Sequence, residues 1–131
     1  IIHEGQLTYV DDGLHLWADM GEWWFDESGL PLPLGGNVVR RDLGREVIEQ
    51  VARDLKASIV YGLVHRADAL AHAKQYNRGI SDERTDEFVG MYVNERTVDY
   101  GNRGREAVQL LLDDAAEAGL IPNKVEVEFL G

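Results

Sequence analysis

Apolar residues recur at helical spacing over most of residues 37–131, whereas residues 1–36 contain short apolar runs separated by glycine and aromatic residues. Between residues 43 and 65 the apolar positions are three or four residues apart, which predicts one long helix with an apolar stripe. Asp42 precedes this helix as its expected N-cap. The stripe consists of Ile48, Val51, Ala52, Leu55, Ile59, Gly62 and Leu63.

Further helices are predicted from apolar spacing together with capping and stop residues. They are a short turn at residues 6–12 ending at Gly13, a helix between Gly21 and Gly29, residues 69–76 ending at Gly79, a helix capped by Ser81, and residues 101–118 followed by Gly119 and Pro122. Each proposed end carries a glycine or proline, the residues that stop helices most often.

Four short apolar stretches predict extended structure. They are Ile1-Ile2, expected to end a buried strand, Leu14–Trp17, Val38-Val39, and Val125–Phe129 as a strand or an extended tail. Pro31 and Pro33 also hold the run from Leu30 to Gly36 extended. The four helices predicted in residues 37–131 form a helix-rich layer with too little predicted strand to cover, which indicates that part of the fold is absent.

The start of the sequence adds to this expectation. Ile1 lies inside a predicted strand and no initiator Met precedes it, whereas domain boundaries usually fall in polar linkers. We therefore expect a fragment of a longer protein. On this interpretation, the stripe of Ile48, Val51, Leu55 and Ile59 packs on another chain, a second copy, or sheet from a missing half.

The net charge and the absence of cysteine limit the kinds of partner and site that the chain can have. The formal net charge is −11, which disfavours binding to nucleic acid or to anionic membranes. An anionic ligand would therefore depend on backbone N–H groups or on a few of the 13 basic residues. The sequence contains no cysteine, which excludes disulfides and thiolate zinc sites and fits a reducing compartment.

Three groups of residues are candidates for chemistry. His3 and Glu4 follow a predicted strand, where open α/β sheets place ligand-contacting groups, and histidine is the commonest general base. A histidine hydrogen-bonded at the edge of the core is the alternative.

The run ending in Leu34, Gly35 and Gly36 is either a hinge whose glycine N–H groups face a ligand or a rigid linker. The third group, His65, Asp68 and His72, resembles a metal site weakly, and a solvated surface is favoured. The usual protease, hydrolase and dinucleotide motifs are absent.

Several motifs resemble the 1,4-dihydroxy-6-naphthoate synthase family of the futalosine route to menaquinone. The resemblance covers essentially the whole chain and corresponds to the C-terminal half of that enzyme. The matching landmarks are Ile1-Ile2-His3-Glu4-Gly5, Leu7-Thr8-Tyr9, Asp19 to Trp24, Ser28 to Gly35, Arg40 to Leu43, Tyr92-Val93-Asn94, Asp99 and Gly101.

The resemblance implies an α/β, periplasmic-binding-protein-like (type II) two-lobed fold. Residues 1–27 would end the second lobe, residues 28–36 would form the hinge crossover, and residues 37–131 would belong to the first lobe. The active site would lie in the cleft between the lobes. The missing N-terminal half, or a second copy of the chain, is the implied protein partner.

The implied reaction converts cyclic dehypoxanthinyl futalosine into 1,4-dihydroxy-6-naphthoate and dihydroxyacetone in the cytoplasm, without a metal or other cofactor. His3 would be the catalytic base, and Glu4, Leu34, Gly35 and Gly36 would contact the small anionic substrate. Chorismate dehydratase, which shares the fold and the pathway, and a non-catalytic solute-binding protein remain alternatives.

Overall fold

Helices separated by turns and extended segments make up the chain in a computed structural model. The structure describes residues 1–3, 5–76 and 81–130, with the side chains of Asp82 and Glu83 left out. Seven α-helices fall in these ranges: α1 (Gly5–Thr8), α2 (Met20–Ser28), α3 (Arg45–Val64), α4 (Arg66–Ala73), α5 (Asp82–Tyr92), α6 (Glu95–Val98) and α7 (Gly101–Glu117). Two 3₁₀ turns, Arg41–Leu43 and Lys74–Tyr76, precede α3 and follow α4.

The predicted α/β fold is wrong for this chain, because no strand or sheet occurs among the residues described. The expectation of a two-lobed, periplasmic-binding-protein-like architecture is therefore corrected to a helical one. A strand exists only where its backbone groups pair with a neighbour. The alternation of apolar and polar residues did not supply that neighbour.

Each predicted strand is an unpaired segment instead. Ile1 and Ile2 are 75% and 71% exposed rather than buried. Trp17, at the end of the second predicted strand, is 99% exposed, and Val38 in the third is 97% exposed. Residues 124–130 belong to no helix and to no strand.

Helix α2 forms close to its predicted place between Gly21 and Gly29, and Asp19 is its N-cap, a role not predicted from sequence. The Asp19 carboxylate accepts hydrogen bonds from the backbone N–H groups of Gly21 and Glu22, at 2.7 and 3.0 Å. These bonds satisfy donors that the first helical turn leaves open. At the other end Gly29 adopts a left-handed conformation with φ 68°, which glycine accepts without steric cost.

The long helix α3 begins two residues later than predicted. Asp42 is not its N-cap, because Asp42 lies in the 3₁₀ turn and its carboxylate accepts a hydrogen bond from Arg40 Nε at 2.9 Å. Gly44, with φ 83°, separates that turn from α3. The guanidinium of Arg40 thus competes successfully with the helix N-terminus for this carboxylate.

The later helices largely match the sequence pattern. Ser81 caps α5, since its Oγ accepts a hydrogen bond from the Arg84 N–H at 3.3 Å. Helix α7 ends at Glu117 and Gly119 follows with φ 72°. Gly79, the predicted end of the helix before Ser81, lies outside the described residues. The short α6 was not predicted, because four residues are too few to show a helical period.

The chain forms two compact units. Unit 1 comprises residues 1–17 and 54–98, and unit 2 comprises residues 18–53 and 99–131. Helix α3 therefore begins in unit 2 and ends in unit 1. The predicted division of the chain at residues 28–36 stays a prediction.

Burial differs between the units. Trp24, Leu30 and Ala107 form the buried apolar core that the structure describes, and all three belong to unit 2. In unit 1 the buried residue is Thr85, whose hydroxyl donates to the Ser81 carbonyl at 2.9 Å. Unit 1 is held together largely through half-buried residues and polar contacts.

The described residues cover the apolar stripe of α3 only in part. No residue of this 20-residue helix is buried, and Val51 and Leu55 are 43% and 39% exposed. Which polypeptide covers the stripe stays a prediction. None of the described helices is long and apolar enough to cross a membrane.

Candidate active site

His3 lies in the turn that precedes α1, in unit 1. Its backbone φ is 56°, a left-handed conformation that residues with a Cβ adopt uncommonly. The carbonyl of His3 accepts a hydrogen bond from the Gln6 N–H at 3.1 Å, which closes the turn. The His3 side chain is exposed and forms no hydrogen bond within the described part of the chain. Neither ring nitrogen is thus engaged by another described residue.

The segment after His3 is fixed to α5 by polar contacts. The Gln6 amide donates to the Tyr92 hydroxyl at 2.7 Å. Further along, Arg84 forms an ion pair with Asp11 at 2.6 Å. Glu4, the predicted substrate contact beside His3, lies outside the described residues.

The second predicted group, Leu34, Gly35 and Gly36, lies in the extended segment of unit 2 and is exposed. The segment leaves the core at Leu30, which is buried, and reaches solvent at Leu34, which is 69% exposed. The backbone thus passes from the core to the surface within the five residues from Leu30 to Leu34.

Both ends of this segment are fixed to neighbouring helices. At its start the Ser28 hydroxyl donates to the Trp24 carbonyl at 2.7 Å and accepts from the Leu30 N–H at 3.1 Å. The Arg103 guanidinium donates to the Gly29 carbonyl. At its end the Tyr100 hydroxyl donates to the Gly35 carbonyl at 3.2 Å. These hydrogen bonds hold the backbone of the segment at both ends, so the segment is not a free linker.

Sequence reasoning missed Tyr100. It lies directly before α7 and is half-buried, and its ring contacts Phe129 edge-on with 5.6 Å between centroids. One feature of the sequence indicated its packing: Gly104 lies one helical turn after Tyr100, and a larger residue there would crowd the tyrosine side chain. Nothing in the linear sequence shows that this ring reaches a segment 65 residues away.

The arginines near the start of α3 are already paired with carboxylates. Arg45 bonds to Glu49 at 2.6 Å and to Glu128 at 3.0 Å, and Arg41 bonds to Glu128 at 2.7 Å. These contacts raise the pKa of the Arg45 guanidinium, mainly through the hydrogen bond to Glu49. An incoming anion would have to compete with these carboxylates.

An open hollow of about 310 Å³ is present in unit 2. Its lining consists of Leu30, Glu106, Gln109, Leu110 and Asp113. Two carboxylates in the wall disfavour an anionic ligand. None of the described residues predicted from sequence to contact substrate lines this hollow.

The weak metal-site pattern of His65, Asp68 and His72 is not supported. His65 stacks on Tyr61, with centroids 3.9 Å apart, and marks the boundary between α3 and α4, where the sequence predicted a helix break. Within the described residues no group of three histidine or acidic side chains is placed to hold a metal ion.

The predicted site residues therefore fall in two groups. His3 belongs to unit 1, whereas Leu34, Gly35 and Gly36 belong to unit 2 together with Tyr100. Their roles in binding and catalysis stay predictions.

Comparison with known proteins identifies related sequences. The chain is 39% identical over 120 residues to the 1,4-dihydroxy-6-naphthoate synthase of Thermus thermophilus, covering 92% of this chain and 44% of that protein. It is 38% identical over 126 residues to the enzyme of the same name from Streptomyces coelicolor, covering 93% and 43%.

A solved structure is also similar. Protein AF1704 from Archaeoglobus fulgidus matches with a TM-score of 0.86 and 40% sequence identity, over 92% of this chain and 46% of that chain. This chain thus spans less than half the length of the relatives it matches. The sequence profile for menaquinone biosynthesis matches residues 1–117. The chain belongs to the menaquinone biosynthesis family.

Proposed function

We propose that this chain is part of a lyase that converts cyclic dehypoxanthinyl futalosine into 1,4-dihydroxy-6-naphthoate and dihydroxyacetone. The observation that carries the proposal is the identity of 39% and 38% to two 1,4-dihydroxy-6-naphthoate synthases over more than nine-tenths of the chain. The product is a carboxylate, which agrees with the anionic ligand expected from the sequence.

His3 is the proposed general base. The His3 imidazole is exposed at a turn and forms no hydrogen bond to another described residue, so it is accessible to a substrate. The neutral ring would take a proton from the substrate, and the electron pair so released would allow the carbon–carbon bond to the three-carbon fragment to break. The proton then resides on His3 until it returns to product or solvent.

The proposed enzyme also needs the polypeptide that makes up the rest of its relatives. The lengths of the relatives support this requirement, because the matches cover only 44% and 43% of the two synthases. Activity is therefore to be measured on this chain assembled with that remaining polypeptide.

Substitution of His3 tests the proposal. We expect His3→Ala and His3→Gln to lower turnover by about 10²–10⁴-fold, the usual contribution of a general base, while substrate binding is kept. His3→Gly is the sharper variant, since glycine accepts φ 56° freely and the protein should be at least as stable. Loss of activity in this variant cannot then be ascribed to unfolding.

His15→Ala is the matched control. His15 is also an exposed histidine of unit 1 and has no proposed role. Turnover and substrate affinity should be unchanged in this variant. Near-normal turnover by all three His3 variants would remove His3 from the mechanism, and absence of turnover by the unmodified enzyme would overturn the proposed function.

A further inference from the structure

The Tyr100 ring is held by contacts within unit 2. A Cβ at Gly104 would lie only 3.0 Å from Tyr100 Cβ, so the glycine allows Tyr100 to pack closely against the first turn of α7. The Phe129 ring meets Tyr100 edge-on, and the Arg105 guanidinium lies over Phe129 at 5.4 Å from its centroid. The direction of the Tyr100 hydroxyl is fixed by these neighbours.

That hydroxyl lies against the glycine pair of the extended segment. It donates to the Gly35 carbonyl at 3.2 Å, and a Cβ added at Gly36 would approach the same oxygen to 3.1 Å. This distance is shorter than ordinary van der Waals contact. Glycine at position 36 therefore permits the approach of Tyr100, and Tyr100 fixes the peptide group between the two glycines.

Fixing this peptide group also orients an N–H group. No described peptide bond is cis, so the Gly36 N–H points opposite to the Gly35 carbonyl and hence away from Tyr100. Gly36 is exposed, and its N–H forms no hydrogen bond to another described residue. Meanwhile the Arg103 contact with the Gly29 carbonyl fixes the other end of the segment. The Gly36 N–H is thus an exposed donor in a peptide group that the hydrogen bond from Tyr100 holds.

We propose that Tyr100 is a positioning residue that aims the Gly36 N–H at the carboxylate of the substrate. The inference rests on the proposed function, which supplies a carboxylate ligand. A backbone N–H that donates to a carboxylate forms a charge-assisted hydrogen bond, which is stronger than a neutral one. The chain has a net charge of −11, and Arg41 and Arg45 are already paired with carboxylates. A backbone N–H group therefore contributes to binding of the substrate carboxylate where these side chains do not.

Tyr100→Phe tests this role because it removes the hydroxyl and keeps the ring. We expect KM for cyclic dehypoxanthinyl futalosine to rise about tenfold, as for the loss of one hydrogen bond, with kcat within about twofold because His3 is unaffected. The melting temperature should stay within about 2 °C, since the contacts with Gly104 and Phe129 remain. Tyr61→Phe is the control: its ring stacks on His65 and its hydroxyl has no hydrogen-bond partner among the described residues.

A second measurement separates orientation of the donor from a general structural effect. Inhibition by 1,4-dihydroxy-6-naphthoate is compared with inhibition by its methyl ester, which lacks the negative charge. The unmodified enzyme should prefer the acid, and Tyr100→Phe should reduce that preference about tenfold. A purely structural role would weaken both inhibitors equally.

The outcomes distinguish this inference from the proposed function. If the unmodified enzyme turns over the substrate but Tyr100→Phe keeps its KM and its preference for the acid, the positioning role is wrong and the proposed function stands. If kcat falls while KM is unchanged, Tyr100 does not act through substrate binding. If the unmodified enzyme shows no turnover, the proposed function fails and this inference fails with it.

Discussion

At the scale of single residues, charge joins the start of α3 to the C-terminal tail. Glu128 bonds to both Arg41 and Arg45, and Arg45 also bonds to Glu49 one helical turn further along. The hydrogen bond from Arg45, together with the positive charge of its guanidinium, holds the pKa of the Glu49 carboxyl below its usual value of 4.5. This carboxyl is harder to protonate in the folded chain than in the unfolded chain. Its charged form therefore stabilises the fold at pH values above the pKa that the carboxyl has in the unfolded chain.

This shift predicts a measurable dependence of stability on pH. The stabilisation from Glu49 is complete above about pH 4.5 and is lost as the pH falls through its lower folded pKa. Glu49→Gln should therefore show a smaller fall in melting temperature between about pH 6 and about pH 3 than the unmodified chain. The difference should be small, because exposed ion pairs stabilise weakly.

Glu27→Gln is the control for that measurement. Glu27 is an exposed helical glutamate that forms no ion pair with the residues described. Its variant should keep the full pH dependence of the unmodified chain. Equal pH dependence in Glu49→Gln and the unmodified chain would show that the Arg45 contact does not stabilise the fold.

At the scale of elements, Ser81 and the glycine stop residues predicted helix ends well, the predicted Asp42 cap was wrong, and apolar alternation predicted the strands badly. Asp19, Gly29 and Ser81 act on neighbours within four residues, so their effect is present in the local sequence. Pairing of Leu14–Trp17 or Val125–Phe129 into a sheet depends on a distant partner that local pattern does not specify. The same limit applies to the candidate site: the glycine pair was predicted from sequence and its role stays a prediction, whereas Tyr100 was not predicted.

Two helical glycines give opposite predictions at this scale. In α3 an added Cβ at Gly62 meets nothing within 4 Å. Gly62→Ala should therefore stabilise the chain by about 0.5–1 kcal/mol through helix propensity. In α7 the Cβ of Gly104→Ala would lie 3.0 Å from Tyr100 Cβ. Crowding of this kind costs about 1–3 kcal/mol, which exceeds the gain in propensity.

Thermal melting of the two variants side by side checks the argument. Gly62→Ala should melt above the unmodified chain, and Gly104→Ala below it. A rise in melting temperature for Gly104→Ala would mean that Tyr100 moves aside at little cost, and its ring is then not fixed as described.

At the scale of the whole molecule, the two units differ in how much they bury. Helix α7 of unit 2 contains the buried residues Gly104 and Ala107, whereas α4 of unit 1 contains none. Local opening costs less free energy where few apolar contacts are buried. The two synthases are more than twice as long as this chain.

Amide hydrogen exchange on the chain alone should reveal this difference. We expect the interior amides of α7 to exchange more slowly than those of α4, because opening α7 exposes buried residues. Peptide-level mass spectrometry at neutral pH resolves the two helices. Equal protection in both would indicate that the units have the same local stability.

The three tryptophans give the chain a built-in optical reporter. Trp17 of unit 1 is 99% exposed and Trp23 of unit 2 is half-exposed, whereas Trp24 is 6% exposed with a buried indole N–H that has no described partner. The emission of Trp17 should already be that of indole in water, and it should change little when the chain unfolds. A red shift of the tryptophan emission during denaturation would therefore come mainly from Trp24 and follow the melting of unit 2, whereas quenching by acrylamide in the folded chain would act first on Trp17.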